Sequence, residues 1–221
     1  MEFSFHIFNN LAADGITMST DRLLRSIDSE KQSKQTQKDK TEGAGTRSIE
    51  TDAFSSPLGK DKTAPPVVVC VGSDLAIGDS LGPITGSMLK YKTQGVDCFI
   101  YGTLAAPVTA KEIKYLRSFL KKTHPDSPVL AIDAAVGEKG DVGVIRVTDS
   151  PLFPGAGANK QLGSLGDVSI LGIVAEKSAR NYGILNTTRL NLVYTMSELI
   201  SEGVAALLWE RQSKNVAFKN A

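Results

Sequence analysis

The sequence has few of the residues that most often bind metals or act as nucleophiles. Among its 221 residues are only two histidines, His6 and His124, and two cysteines, Cys70 and Cys98. Two distant histidines are too few for a zinc site or a Ser-His-Asp triad, and the cysteines lack Cys-x-x-Cys spacing. We expect both cysteines to be small buried apolar residues of strands, and we expect no metal and no other cofactor.

Strong charge and long apolar runs are lacking as well. The formal net charge is +1, which gives no indication of a nucleic-acid partner. No apolar run approaches the roughly 20 residues that span a bilayer, so no membrane partner is expected. The N-terminus carries an acid, Glu2, where a secretory signal carries bases, and we expect a cytoplasmic location.

The signatures of nucleotide-binding proteins and of serine hydrolases are also missing. The segment Gly72-x5-Gly78 lacks the Gly-Lys-Ser/Thr ending of a phosphate-binding loop. The segment Gly155-Ala-Gly-Ala-Asn159 does not follow a clean strand, which disfavours a dinucleotide site. No Gly-x-Ser-x-Gly elbow is present, which disfavours a serine hydrolase.

Composition divides the chain near residue 64. Residues 29–62 contain almost no large apolar side chain, so residues 1–64 are predicted to be a flexible, disordered extension with a short amphipathic helix at most. Met18 is a plausible alternative start of translation. Residues 65–213 are predicted to form a single domain, and residues 214–221 a C-terminal tail.

Strands and helices alternate within the predicted domain. Apolar, β-branched runs predict strands over residues 67–71, 97–101, 129–132, 142–147 and 168–175. Helical apolar spacing predicts helices over residues 80–91, 109–122 and 188–211. Such alternation is typical of an α/β fold, in which helices cover both faces of a parallel or mixed sheet.

Two acids follow apolar strands of this predicted sheet. Asp79 stands in the loop after the first strand, and Asp133 ends the third. Loops at the carboxyl ends of parallel strands converge on one crevice, so the two carboxyl groups can meet there. If they do, repulsion splits their titrations, and the ionised acid can activate water while the protonated one polarises a carbonyl or protonates a leaving amine. Asp79 alone would equally suit a helix N-terminus as an ordinary capping residue.

Three motifs around these acids resemble the bacterial spore germination protease. Gly72-Ser-Asp-Leu-Ala-Ile-Gly-Asp-Ser-Leu-Gly-Pro83 is similar to its Gly-Asn…Pro-Asp-Ala-Leu-Gly-Pro signature. Ala131-Ile-Asp-Ala134 resembles its Ala-Ile-Asp-Ala-Leu strand end, and Phe153-Pro-Gly-Ala-Gly-Ala-Asn-Lys160 resembles its His-Pro-Gly-Ser-Gly-x-Gly-Asn-Lys loop. With these motifs, the sequence most resembles the shorter, YyaC-type sporulation branch of spore-protease-related proteins.

The resemblance implies a three-layer α/β/α sandwich of the hydrogenase-maturation-protease-like (phosphorylase/hydrolase-like) type. Its sheet would be mostly parallel or mixed, with five strands or slightly more. The resemblance also implies an atypical aspartic endopeptidase with Asp79 and Asp133 as its catalytic acids. No histidine follows Asp133 that could bind nickel as in the hydrogenase maturation relatives. The expected substrate-binding residues are Gly72, Ser73, Thr103, Gly155, Gly157, Asn159 and Lys160.

The resemblance further implies a protein or peptide substrate, in particular small acid-soluble spore proteins, in the forespore or spore interior. Cys70, Ser73 and Phe153 stand where the protease carries Gly, Asn and His, and the chain is much shorter than the protease. These departures motivate two alternatives: a non-catalytic sporulation protein that binds a peptide or partner with the same fold, or a hydrolase of another small amide. The oligomeric state stays open, and a homo-oligomer is compatible with the sequence.

Overall fold

The structure is a computed structural model that describes residues 1–42, 64–154, 163–177, 185 and 188–219. Six strands and four α-helices lie in these ranges. In chain order they are β1 (Glu2–His6), α1 (Ala12–Glu42), β2 (Val67–Cys70), α2 (Leu81–Lys92), β3 (Phe99–Tyr101), α3 (Ile113–Thr123), β4 (Val129–Gly137), β5 (Val144–Thr148), β6 (Val168–Glu176) and α4 (Leu190–Lys219). Short 3-10 turns at Gly78–Ser80 and Lys139–Asp141 precede α2 and β5.

The strands form one mixed sheet in the order β1-β5-β6-β4-β2-β3. Strands β2, β3, β4 and β6 are parallel, β5 is antiparallel to β6, and β1 is antiparallel to β5. This arrangement confirms the predicted α/β class with a mixed sheet. The sixth strand, β1, comes from the part of the chain in which no strand was predicted.

The sheet separates two hydrophobic cores. One of its faces packs against α1, α2 and α4, and the other packs against α3, which gives three layers. Strand β2 supplies both cores, because Val68 and Cys70 point to the first and Val67 and Val69 to the second. Cys70 is buried as predicted, whereas Cys98 is only half-buried, and both are free thiols.

The N-terminal region is ordered, which corrects the predicted disorder of residues 1–64. Strand β1 pairs with β5 along its whole length, and its alternate residues Phe3 and Phe5 pack against the larger core. Helix α1 buries Ile16, Leu23 and Leu24 against the same core. The prediction is wrong for residues 1–42, since apolar side chains at strand and helix periods, among them Phe3, Phe5 and Ile16, reach one core. Residues 43–63 lie outside the described part of the chain.

Arg211 of α4 forms ion pairs with two acids of α1. Its guanidinium bonds the carboxylate of Asp28 and lies 3.5 Å from that of Asp21, and all three side chains are largely buried. Buried charges are costly unless they are paired, so this cluster fixes how α1 lies on α4.

Helix α4 packs in the larger core, on the same face of the sheet as α1 and α2. It continues to Lys219. The predicted tail over residues 214–221 is therefore wrong as far as residue 219. Residues Leu190–Val216 are long and apolar enough to cross a membrane by length and composition alone. However, 56% of the most apolar window is buried inside the protein, and both α1 and α2 pack along this helix. Core helices of soluble proteins have the same character.

Candidate active site

Asp79 and Asp133 lie where the connections of the sheet diverge. After β2 the chain passes through α2 to β3 on one side, whereas after β4 it continues to β5 and β6 on the other. In α/β sheets such a divergence opens a crevice at the carboxyl ends of the strands. Asp79 belongs to the turn that follows β2, Asp133 belongs to β4, and both residues are partly buried.

Strand β4 is longer than the sequence predicted. It was expected to end at Asp133, but it continues to Gly137 and pairs with β6 throughout. Its pairing with β2 ends at Ile132, one residue before the acid. Asp133 therefore stands at the end of the β2–β4 ladder although it lies in the middle of its own strand.

Gly72 allows the turn that carries Asp79 to fold back onto β2. It has a φ of 139°, and a Cβ built on it would lie 2.1 Å from the backbone oxygen of Asp79. The next residue, Ser73, donates its backbone N–H to the same oxygen over 3.2 Å. The turn is thereby closed by its own backbone, and a larger residue at position 72 would push Asp79 away from the sheet.

Helix α2 approaches the sheet unusually closely through Gly86. A Cβ on Gly86 would lie 1.9 Å from the backbone oxygen of Gly102, which follows β3. The Oγ of Ser87 accepts the backbone N–H of Leu104 over 2.9 Å, so the loop after β3 is fixed to the same helix. Close backbone packing of α2 therefore determines where both loops around the crevice lie.

We expect Gly86→Ala to destabilise the protein, although alanine is the better helix former. The added methyl group has no room beside Gly102, and overpacking of this kind costs about 1–3 kcal/mol of unfolding free energy. Urea unfolding followed by circular dichroism measures the loss. Gly140→Ala is the matched control, because a Cβ at Gly140 meets nothing within 4 Å. Equal stability of both variants would contradict the close approach.

The negative charge of Asp79 affects the titration of Asp133. Burial raises the pKa of Asp79, and a hydrogen bond from the backbone of Ser73 partly offsets this rise. The pKa of Asp133 is raised well above its ordinary value of 3.8, first by burial and then by the negative charge of Asp79. The Ala134 N–H, which donates to Asp133 Oδ1 over 2.8 Å, opposes the rise. The charge of Asp79 thus acts on Asp133 and, together with burial, favours the protonated form of Asp133.

We expect Asp79→Asn to lower the pKa of Asp133, because it removes the neighbouring charge and leaves the burial in place. Carboxyl carbon NMR across a pH titration follows Asp133 directly. Asp74→Asn changes an exposed acid of the same loop and should leave the Asp133 titration unchanged. An Asp133 pKa that stays fixed in Asp79→Asn would show that the two acids do not interact.

Of the seven predicted substrate-binding residues, the structure describes three. Gly72 and Ser73 lie in the Asp79 turn, and Thr103 lies in the loop after β3, at the same end of the sheet. Thr103 closes its loop by exchanging backbone hydrogen bonds of 3.1 Å with Ala106. The remaining predicted residues, Gly155, Gly157, Asn159 and Lys160, lie outside the described residues. Their roles, like the catalytic roles of the two acids, stay predictions.

Sequence reasoning missed three exposed apolar side chains at the end of the sheet that carries the acids. Leu75 and Ile77 belong to the Asp79 turn and are 91% and 38% exposed, and Leu104, in the loop after β3, is 46% exposed. Hydrogen bonds position two of them, since the N–H groups of Leu75 and Leu104 donate to serine hydroxyls. The available signal was that Leu75 and Ile77 are large apolar residues inside the loop that carries the acid.

No group of three or more histidine, cysteine or acidic side chains is placed to hold a metal ion in the described ranges. His124 is instead bonded to the Tyr101 hydroxyl over 2.8 Å, beside the edge strand β3. What the described site offers chemically is a pair of carboxyl groups where the β2–β4 ladder ends.

Comparisons with known proteins bear on this region of the chain. A family model described as "Protein of unknown function (DUF1256)" matches residues 45–203, which include both acids. The chain is 41% identical over 165 residues to the "Uncharacterized protein YyaC" of Bacillus subtilis (strain 168), covering 75% of this chain and 80% of the relative. It is also similar to the crystal structure of the [NiFe] hydrogenase maturation protease HycI from Thermococcus kodakarensis KOD1. That similarity has 18% identity and a TM-score of 0.44, and it covers 68% of this chain and 95% of the other. By the extent of the family match and the identity to its relative, this chain belongs to the DUF1256 family.

Proposed function

We propose that this protein is a metal-independent peptidase that hydrolyses peptide bonds with Asp79 and Asp133. The observation that carries the proposal is the interacting acid pair at the divergence of β2 and β4, in which Asp79 raises the pKa of Asp133. The motifs around both acids, which resemble those of the spore germination protease, support the same reaction.

The unequal environments of the acids support a different role for each. Asp79 lies just before the N-terminus of α2, which favours a negative charge, and Ser73 bonds to it, so it acts as the general base. It accepts a proton from water while the water oxygen bonds to the peptide carbonyl carbon. Asp133 holds the other proton and donates it to the leaving nitrogen as the C–N bond breaks. Proton exchange through solvent then restores the starting pair.

The proposed substrates are small acid-soluble spore proteins, and the proposed location is the interior of the forespore or spore. Both rest on the resemblance of the three motifs. The test is incubation of the full chain with purified small acid-soluble spore proteins, followed by mass spectrometry of the products. We expect discrete internal cuts without added metal and with a chelator present.

The rate of cleavage should follow a bell-shaped dependence on pH. It should rise as Asp79 ionises and fall as Asp133 loses its proton, and both pKa values are raised above 3.8. The optimum is therefore displaced towards neutrality relative to a pair of ordinary aspartates. Initial rates from acid to alkaline pH measure this profile. A rate that is highest where both acids are protonated would contradict the assigned roles.

A second candidate function is peptide or partner binding without catalysis. It is favoured by the departures from the protease motifs at Cys70, Ser73 and Phe153, the last of which is an exposed aromatic residue where the protease carries His. Binding of spore proteins without any cut across the whole pH range would favour this candidate.

A further inference from the structure

One side of β4 has no strand partner next to Asp133. On its β6 side, β4 is paired as far as Gly137, which pairs with Glu176. On its β2 side, the ladder stops where Val71 donates its N–H to Ile132 over 2.7 Å. Residues 134–136 therefore present a strand edge on the β2 side that no described strand occupies.

The direction of the backbone groups follows from the hydrogen bonds at both ends of β4. The odd-numbered residues Val129 and Gly137 accept hydrogen bonds from the β6 side, given by Asp167 and Lys177. Even-numbered residues such as Ile132 accept from β2. The β4–β6 register shifts between Ala135 and Val136, but Gly137 still accepts from the β6 side, so the alternation along β4 is kept. Ala134 and Val136 therefore direct their N–H and C=O groups to the open side.

Most of these groups have no protein partner within the described residues. The Ala134 N–H donates to the carboxylate of Asp133, its own neighbour, over 2.8 Å. The Ala134 C=O and both backbone groups of Val136 remain, and both residues are partly exposed. An unpaired strand edge can accept a further strand. Here that edge begins at the catalytic acid.

Exposed apolar side chains lie at the same end of the sheet as this edge. Leu75 and Ile77 come from the turn after β2, and Leu104 comes from the loop after β3, all at the carboxyl ends of parallel strands. Exposed apolar groups beside a polar cleft are typical of surfaces that bind polypeptides. A bound strand would place alternate side chains on opposite faces, so that every second one meets this apolar border.

We propose that the ligand of this crevice is an extended polypeptide segment, which adds as a strand to β4 at Ala134 and Val136. As a statement about the substrate, the inference rests on the proposed function. It identifies the substrate class as unfolded or extended segments with apolar side chains at alternate positions. A folded protein offers no free strand of this kind, whereas an extended segment docked here has its backbone beside Asp133.

The test is the binding of a fluorescein-labelled decapeptide of alternating leucine and serine, with a lysine added at each end. Fluorescence anisotropy with the Asp79→Asn protein measures binding without cleavage. Because one edge of an added strand bonds to β4, N-methylation of one alternate set of residues should weaken binding about tenfold or more. N-methylation of the other set should change it little. Equal effects of the two sets would overturn the proposal.

The same edge can be tested by changing the protein instead of the peptide. Val136→Pro removes the N–H that faces the open side and fills the edge with its ring, and proline is tolerated at strand edges. We expect it to lose peptide binding, whereas Val136→Ala, which keeps the backbone group, should retain it. Unchanged binding by a folded Val136→Pro protein would overturn the proposal, and the methylated peptides decide the matter if this variant does not fold.

Failure of this inference is distinguishable from failure of the proposed function. Wild-type protein that cuts the unmodified and both methylated peptides equally would overturn strand addition and leave the peptidase intact. Edge-dependent binding of a peptide that the wild type never cuts would support strand addition and contradict the peptidase.

Discussion

Asp133→Asn should abolish peptide cleavage and at the same time make the protein more stable at neutral pH. Asparagine fills the same volume and can still accept the Ala134 N–H, but it has no proton to donate to a leaving nitrogen. Loss of a general acid or base lowers the rate by about 10²–10⁴-fold. Asp79→Asn should lower it by a similar factor, because the water then has no base.

The change in stability has a definite sign and pH range. The pKa of Asp133 is raised in the folded protein, so the folded state binds the proton more tightly than the unfolded state does. The wild type therefore loses stability as the pH rises from 3.8, the ordinary value, through the raised pKa. Asparagine does not titrate, so the advantage of the variant is absent in acid and grows towards neutral pH.

Cleavage rates and urea unfolding at several pH values measure both effects in one set of proteins. Asp74→Asn serves as the control, since it removes an exposed charge from the same loop and should change neither quantity much. Cleavage by both active-site variants at the wild-type rate would refute the proposed roles. An Asp133→Asn protein that is less stable than the wild type at neutral pH would contradict the buried, proton-binding environment.

Removal of residues 1–17, which leaves a chain that starts at Met18, should unfold the protein or bring it close to unfolding. The deletion removes β1, exposes the edge of β5, and takes away Ala12 and Ile16, which are fully buried. Ile16→Ala alone should cost about 2–5 kcal/mol of unfolding free energy. Thermal and urea unfolding, followed by circular dichroism, measure both losses.

Met18→Ala is the matched control for this deletion. Met18 lies in the same helix but is 74% exposed, so its replacement should change stability by less than about 0.5 kcal/mol. A truncated protein with a cooperative, wild-type unfolding transition would show that β1 and the start of α1 are dispensable. Lower activity of a chain without residues 1–64 would therefore report a damaged fold.

The predicted strands and helices of the domain were largely correct because their patterns are local. The continuous apolar run from Val67 to Cys70 and the helical spacing of apolar residues in α4 can each be seen in the local sequence. Neither prediction required knowledge of the tertiary contacts. The short N-terminal pattern failed because Phe3, Phe5 and Ile16 are too few to indicate burial on their own. Their partners are β5 and α4, far along the chain, and local composition contains no information about them.

The proximity of the two acids was predictable from the sequence, but the course of the backbone around them was not. Asp133 was predicted as a site residue because a carboxylate is costly to bury at the end of an apolar strand. The continuation of β4 to Gly137 was missed, because strand length depends on pairing with β6 rather than on the residues after Asp133. The open edge at Ala134 is likewise a property of where β2 stops, which no side-chain pattern in β4 encodes.

The pairing of the first strand with a late one determines the order in which the molecule can fold. Glu2 pairs with Thr148, and Thr17 of α1 bonds the backbone of Gly203 across 186 residues of sequence. During synthesis, β1 and α1 emerge first but must wait for β5 and α4 before they can bury their apolar faces. Contacts so distant in sequence slow folding, which for such topologies takes about milliseconds to seconds. The nascent chain therefore exposes an unpaired strand and an apolar helix face for most of translation, which is when a chaperone would be of use to it.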